Sequence, residues 1–206
     1  MLVADEGGDL LVIDPGSFTA SLPDLSRAVA VVITHEHADH WTPEHLRRIR
    51  ETAGAVPVFG PQGVADAAAG FDVTVVAPGD ERTAGPFTLR FFGGRHEVIH
   101  SSIPVVDNVG VLVNDALYYP GDSYAVPALA SAERVAVLAA PVGAPWLKIS
   151  DAMDFVLAVA PERAFSTHEK TLSSAGLALG RGRLAWSVEQ GGGSFTALEA
   201  GDSIEV

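Results

Sequence analysis

Three histidines and two carboxylates fall within six residues at His35-Glu36-His37-Ala38-Asp39-His40. Imidazole nitrogens and carboxylate oxygens at this density are ligands for divalent cations. His35 and His37 are alternate residues, so their side chains can point the same way and share one ion. Asp39 and His40 follow on the turn and can reach a second ion about 3.5–4 Å from the first. Farther along, His96, Asp122 and His168 each follow a different apolar run. Asp122 suits a bridging role, because a carboxylate has two oxygens whereas a neutral imidazole has one free lone pair. A water held between two dications loses its proton near neutral pH and becomes a nucleophile. His100 rivals His96 as a ligand, but Gly93-Gly94 lets the backbone near His96 approach a site closely. Asp14, in Asp14-Pro15-Gly16-Ser17, is read as a supporting residue rather than a ligand, since Asp-Pro-Gly is ordinary turn chemistry.

These groups need strands to carry them. Ala28 to Ile33 is too short for a helix and rich in β-branched residues, so it reads as a buried strand delivering the histidine cluster. Thr42-Pro43-Glu44 then starts a helix to about Ala53, with Thr42 as N-cap, Pro43 in the first helical position and Gly54 as the stop. Strands are expected at Leu10 to Ile13, Val56 to Phe59, Val73 to Val76, Phe87 to Phe92, Val135 to Ala139 and Arg163 to Ser166. Val109 to Val113 and Leu117 to Tyr119 form a hairpin across Asn114-Asp115. A small helix is expected from Gln62 to Ala69. A second amphipathic helix, capped by Ser150, runs to Ala160 with Met153, Phe155 or Val156, Leu157 and Ala160 inward. A sheet beginning at Leu10 leaves an edge that one more N-terminal strand would cover, so the first strand reads as truncated. Glu36 is read as pointing away from the ligands, His45 as a surface residue, and Trp41, Trp146 and Tyr124 as packing. Trp146 and Lys148 also follow a strand end that can rim a pocket. With Arg95, His100 and Asn108 they make up the candidate substrate contacts.

At 206 residues, 48% hydrophobic and 19% charged, the chain fits a single domain, residues 1–206. It has no cysteine, which excludes disulfides, thiolate ligands and a cysteine nucleophile. Acidic side chains outnumber basic ones 26 to 13, a formal net charge of −13 that disfavours a phosphate-backbone partner. No apolar stretch reaches the ~18 residues of a membrane helix, and the N-terminal residues show no signal peptide, so a cytoplasmic location is expected.

The His35-Glu36-His37-Ala38-Asp39-His40 segment resembles the HxHxDH signature of the metallo-β-lactamase superfamily. Gly94-Arg95-His96, Gly121-Asp122-Ser123 and Pro141-Val142-Gly143 recur in the right order, and the likeness runs from about Leu10 to His168. It is nearest the small stand-alone branch of ascorbate-6-phosphate lactonase-like proteins. The resemblance implies an α/β fold, the four-layer αββα sandwich of metallo-hydrolases and oxidoreductases. It also implies two divalent metal ions, Zn2+ ahead of Mn2+. His35, His37 and His96 would hold one ion, Asp39, His40 and His168 the other, with Asp122 bridging. His at position 37 argues against the di-iron flavoprotein branch, and the lack of cysteine against β-lactam turnover.

The expected function is hydrolysis of a small lactone, ester or phosphodiester, with Asp39 orienting the nucleophile or shuttling its proton as well as binding metal. The alternatives are a metal- or small-molecule-binding protein without turnover and, behind it, a nuclease. A small-molecule substrate is expected, without a nucleic-acid or membrane partner; homo-oligomerisation stays open.

Overall fold

The computed structural model describes residues 1–19, 21–131 and 133–206. Two sheets face each other. The first has five strands in the order β1 (Leu2–Ala4), β2 (Leu10–Ile13), β3 (Ala28–Val32), β4 (Val58–Gly60) and β5 (Val73–Val75). The second has seven, ordered β12 (Ser194–Phe195), β11 (Arg163–Thr167), β10 (Val137–Pro141), β9 (Leu117–Tyr119), β8 (Val109–Val113), β7 (Phe87–Gly93) and β6 (Glu81–Ala84). Both are mixed. In the first sheet β1 is antiparallel to β2 and the rest run parallel; in the second, β6 to β9 alternate while β9 to β12 run parallel.

Side-chain alternation along the strands builds the layers. In β3 and the residue after it, Ala30 and Val32 face the opposite sheet, whereas Val31 and Ile33 pack with Leu46 and Ile49 of α1 (Pro43–Ala53) and Val64 of α2 (Gln62–Ala67). In β10, Val137 and Ala139 face inward. Leu138 and Ala140 pack with Phe155 and Val156 of α3 (Ile149–Val159) and Leu184 and Val188 of α4 (Ser174–Gln190). The result is helix, sheet, sheet, helix: an αββα sandwich in which three apolar clusters fill the three interfaces.

The expected strands and the first helix form, with α1 capped by Thr42, whose Oγ1 accepts the His45 N–H at 3.1 Å. The Asn114-Asp115 hairpin forms too, both residues at positive φ (50° and 54°) as a tight two-residue turn requires. Four points differ. Leu2–Ala4 occupies the edge beside β2 that the sequence left bare, and Glu81–Ala84, not among the expected strands, pairs with β7. The α3 helix begins at Ile149, so Lys148 and not Ser150 takes the N-cap position and no side chain caps it, while Ser150 Oγ, inside the first turn, donates to Asp151 Oδ1 at 2.8 Å; within the helix Leu157 is exposed and Ala152 takes the buried place. Helix α4 is not marked by any apolar stripe. Its Gly180 packs so closely under Val142 that a Cβ would lie 2.7 Å from Val142 Cγ2.

Candidate metal centre

Strands β2, β3, β7, β9, β10 and β11 all point their C-terminal ends at one rim of the sandwich. In α/β sheets this rim is where loops carry ligands. Here the loops deliver Asp14, the His35 to His40 segment, His96, Asp122, Trp146 and His168. Two of the turns need a missing Cβ. A Cβ on Gly16 would meet Asp39 O at 1.6 Å, and one on Gly121 (φ 63°) would meet Asn108 Oδ1 at 2.5 Å and Thr34 Cβ at 2.7 Å.

The seven expected ligands come together. Their atoms form three overlapping triads, His35-His37-His96, His35-Asp39-His40 and His40-Asp122-His168, each within 4.8 Å. His35 Nε2 lies 3.1 Å from His37 Nδ1. Asp122 sits at the junction: Oδ1 is 3.2 Å from His40 Nε2, while Oδ2 is 3.4 Å from both His96 Nε2 and His168 Nε2. Asp39 Oδ2 lies 3.4 Å from His168 Nε2 and 3.9 Å from His40 Nε2.

Three of the five imidazoles are aimed from behind. His40 Nδ1 donates to Asp14 Oδ2 at 2.6 Å, His96 Nδ1 to Glu97 O at 2.5 Å, and His168 Nδ1 to Gly143 O at 2.6 Å. Carboxylates and carbonyls only accept, so these contacts fix the proton on Nδ1 and turn Nε2 inward. Among the described residues, the buried Nε2 atoms of His40, His96 and His168 and the buried Oδ1 of Asp122 have no hydrogen-bond partner. Unpartnered buried polar atoms are costly. Four of them converging from four loops, three aromatic nitrogens and a carboxylate oxygen, are the donor set of a divalent cation, and they fit one.

The electrostatics agree. Burial disfavours protonated His40, yet Asp14 and Asp122 outweigh it and hold its pKa up at about 10. His168 follows the same pattern: burial lowers its pKa, but Asp122 and Asp39 raise it to about 10. Asp122 is itself buried, which alone would raise its pKa, but His168, His40 and His96 hold it far below the carboxylate range. Burial pulls His35 and His37 down, helped by neighbouring imidazoles. The metal-free centre is therefore a knot of imidazolium and carboxylate whose positive part a cation would replace.

The candidate substrate contacts fare differently. Asn108 is fully buried. Its Nδ2 donates to Pro120 O at 2.9 Å and its Oδ1 accepts the Asp122 N–H at 3.0 Å, so it clamps the Asp122 turn instead of facing a ligand. His100 is exposed and bonded to Ser102 Oγ at 2.7 Å, outside the triads, whereas His96 lies within one of them. Lys148 is exposed and 3.4 Å from Asp151, and Arg95 is exposed on its loop. Trp146, read as packing or pocket rim, donates Nε1–H to Asp122 Oδ2 at 2.7 Å.

Sequence reasoning missed other supports. Thr34 N and Oγ1 donate to Asp14 Oδ1 and Oδ2 at 2.8 and 2.7 Å, and Thr34 O accepts the Val109 N–H at 2.9 Å, tying the two sheets together under the centre. His45, read as a surface residue, bonds Pro15 O through Nδ1 at 2.9 Å. Behind His168, which adopts φ 60°, Glu169 accepts from Ser166 Oγ and from Arg181 Nη2 at 2.8 Å. Arg181 comes from α4, so no local pattern could have linked it to the site. A cavity of about 230 Å³ opens beside Asp39, His40 and His168, with Thr167, Glu169 and Lys170 in its wall.

A family model described as a beta-lactamase superfamily domain matches residues 1–168. The chain belongs to the metallo-β-lactamase superfamily. Among its superfamily relatives is protein Rv0786c of Mycobacterium tuberculosis (strain ATCC 25618 / H37Rv), 38% identical over 189 residues, covering 89% of this chain and 86% of that one. The fold is shared with a candidate metal-dependent hydrolase from Parabacteroides distasonis ATCC 8503 (TM-score 0.71, 15% identity, 96% of each chain). It is shared as well with Igni18, a metallo hydrolase from Ignicoccus hospitalis KIN4/I (TM-score 0.69, 18% identity, 98% of this chain and 92% of that one). Among the described residues, no helix of this superfamily member is long and apolar enough to cross a membrane.

Proposed function

We propose that the chain is a metal-dependent hydrolase that opens a small lactone, ester or phosphodiester at a two-metal centre. The observation that carries this reading is the convergence of unpartnered buried donor atoms from His40, His96, His168 and Asp122 on one point. His35, His37 and His96 would hold one ion, Asp39, His40 and His168 the other, and Asp122 would bridge them. Zn2+ suits this donor set best, with Mn2+ the alternative. Bound there, divalent ions supply an activated water and polarise the bond to be broken.

The chain's own groups set the rest. Asp39 is the ligand carboxylate most open to solvent, its side chain 28% exposed against 4% for Asp122. It is therefore the group placed to take up and release a proton at Oδ2 as substrate enters and product leaves. The backing bonds to His40, His96 and His168 keep those rings from turning, so substrate meets a preorganised centre. With 26 acidic against 13 basic side chains, the chain suits a small molecule better than a polyanion. A cytoplasmic location belongs to the same reading.

Elemental analysis of the purified protein, followed by a lactone, ester and phosphodiester panel in the metal found, tests the proposal. Two ions per chain and a turnover abolished by chelation and restored by Zn2+ or Mn2+ are expected. Loss of no metal in His35→Ala, His37→Ala and His40→Ala alike would overturn it. Full metal content with turnover of nothing across the panel would favour a binding protein instead.

A further inference from the structure

The hydrogen bond from Trp146 to Asp122 is not accounted for by either packing or substrate binding. Trp146 lies on the loop between β10 and α3, at the end of an aromatic row. Its ring centroid is 5.2 Å from Tyr124, which is 5.9 Å from Phe155 of the buried cluster under α3. The indole also meets His96 edge to face at 5.9 Å. The row holds the ring, and the ring holds an N–H that can only donate. The acceptor is Asp122 Oδ2 at 2.7 Å, the oxygen 3.4 Å from a ligand nitrogen of each imidazole set. Asp122 Oδ1 is buried, has no hydrogen-bond partner among the described residues and lies 3.2 Å from His40 Nε2.

A carboxylate oxygen offers about two lone-pair sites. With the indole on one, Oδ2 has one left, whereas Oδ1 keeps both. We propose that Trp146 is a positioning residue that decides how Asp122 divides its oxygens. By occupying one site on Oδ2 it limits that oxygen to at most one ion and leaves Oδ1 as the oxygen with two open sites. Without the indole N–H, Oδ2 would be free to take both ions and the carboxylate free to rotate. This inference rests on the two-metal reading above.

Trp146→Phe tests it, because phenylalanine keeps an aromatic face against Tyr124 and His96 and removes only the donor and part of the ring. Metal-free wild type and variant are titrated with Co2+, following visible absorption, which reports coordination number and geometry. Wild type that takes up two Co2+ satisfies the underlying reading; wild type that binds none defeats that reading rather than this one. Given two sites in wild type, the variant is expected to bind at least one Co2+ about tenfold more weakly with an altered absorption band. Superimposable titrations and spectra would overturn the proposal. So would weaker binding with an unchanged band and a matching fall in metal-free thermal stability, the mark of a packing role alone. If the variant does not fold, the 15N-indole spectrum of the wild type decides. An indole N–H that exchanges slowly and shifts when diamagnetic Zn2+ is titrated into the metal-free protein supports the contact. Assignment uses Trp41→Phe and Trp186→Phe. Fast exchange of the Trp146 signal, unchanged by Zn2+, overturns it.

Discussion

Asp14→Asn isolates a single proton in the centre. Asp14 is nearly buried, its side chain 7% exposed, and its Oδ2 accepts from His40 Nδ1 at 2.6 Å while Oδ1 accepts the Thr34 N–H at 2.8 Å. Asparagine matches its shape and tolerates the φ of 48° found there, which alanine would not, so the backbone is retained. To keep the Thr34 N–H bonded, the new amide must present its carbonyl there, which turns its NH2 toward His40 Nδ1. Two donors then face each other unless His40 gives up its Nδ1 proton and keeps the one on Nε2, the atom aimed into the centre. Ligation through Nε2 needs the remaining proton on Nδ1, where it faces the amide NH2, so the ion proposed for Asp39, His40 and His168 should bind roughly 10–100-fold more weakly, about 1.4–2.8 kcal/mol. The ion of His35, His37 and His96 should be spared. Zn2+ titration against a chromophoric chelator reads both steps, and the expected result is one step unmoved and one displaced. Two steps at wild-type affinity in a folded Asp14→Asn protein would refute the argument that Asp14 sets the His40 tautomer.

Metal binding should release protons. His40 and His168 have pKa values of about 10 in the metal-free centre, so both are charged at pH 8 and must become neutral to ligate. About two protons per chain are expected in calorimetry across buffers of different ionisation enthalpy, with affinity rising as pH rises toward 10; no release at pH 8 would contradict the imidazolium assignment. Chelation should lower the midpoint of thermal unfolding, since an ion at 100 times its Kd contributes about 2.7 kcal/mol. Gly121→Ala should lose about 1–3 kcal/mol from φ 63° alone, and more from the contact with Asn108 and Thr34; denaturant unfolding measures it. Arg181→Met should cost about 1–3 kcal/mol by leaving Glu169 without its cationic partner, and should weaken metal uptake through His168, whereas Arg183→Met on the exposed face of α4 should do neither.

The candidate ligands are legible in the amino-acid sequence. His35, His37, Asp39 and His40 are contiguous and follow an apolar run whose alternation is local, so their density and the strand beneath them are visible without a fold. The ends of the other strands mark His96, Asp122 and His168 by the same logic. The supports were hidden because they are long-range. Thr34 reaches Asp14 across 20 positions, Asn108 reaches the Asp122 turn across 14, Trp146 reaches Asp122 across 24, and Arg181 reaches Glu169 from a helix with no amphipathic stripe. Helix α4 escaped notice because glycines and small residues fit it against the sheet through close approach rather than through large apolar side chains. Likewise β1 and β6 are edge strands of three and four residues, defined by ladder partners more than by composition. Residue type tells which atoms can bind a cation. Which hydrogen bond holds each of those atoms in place, and which neighbouring polar residue is turned away from the centre to do so, depends on packing between strands far apart in the chain, and only the tertiary structure decides it.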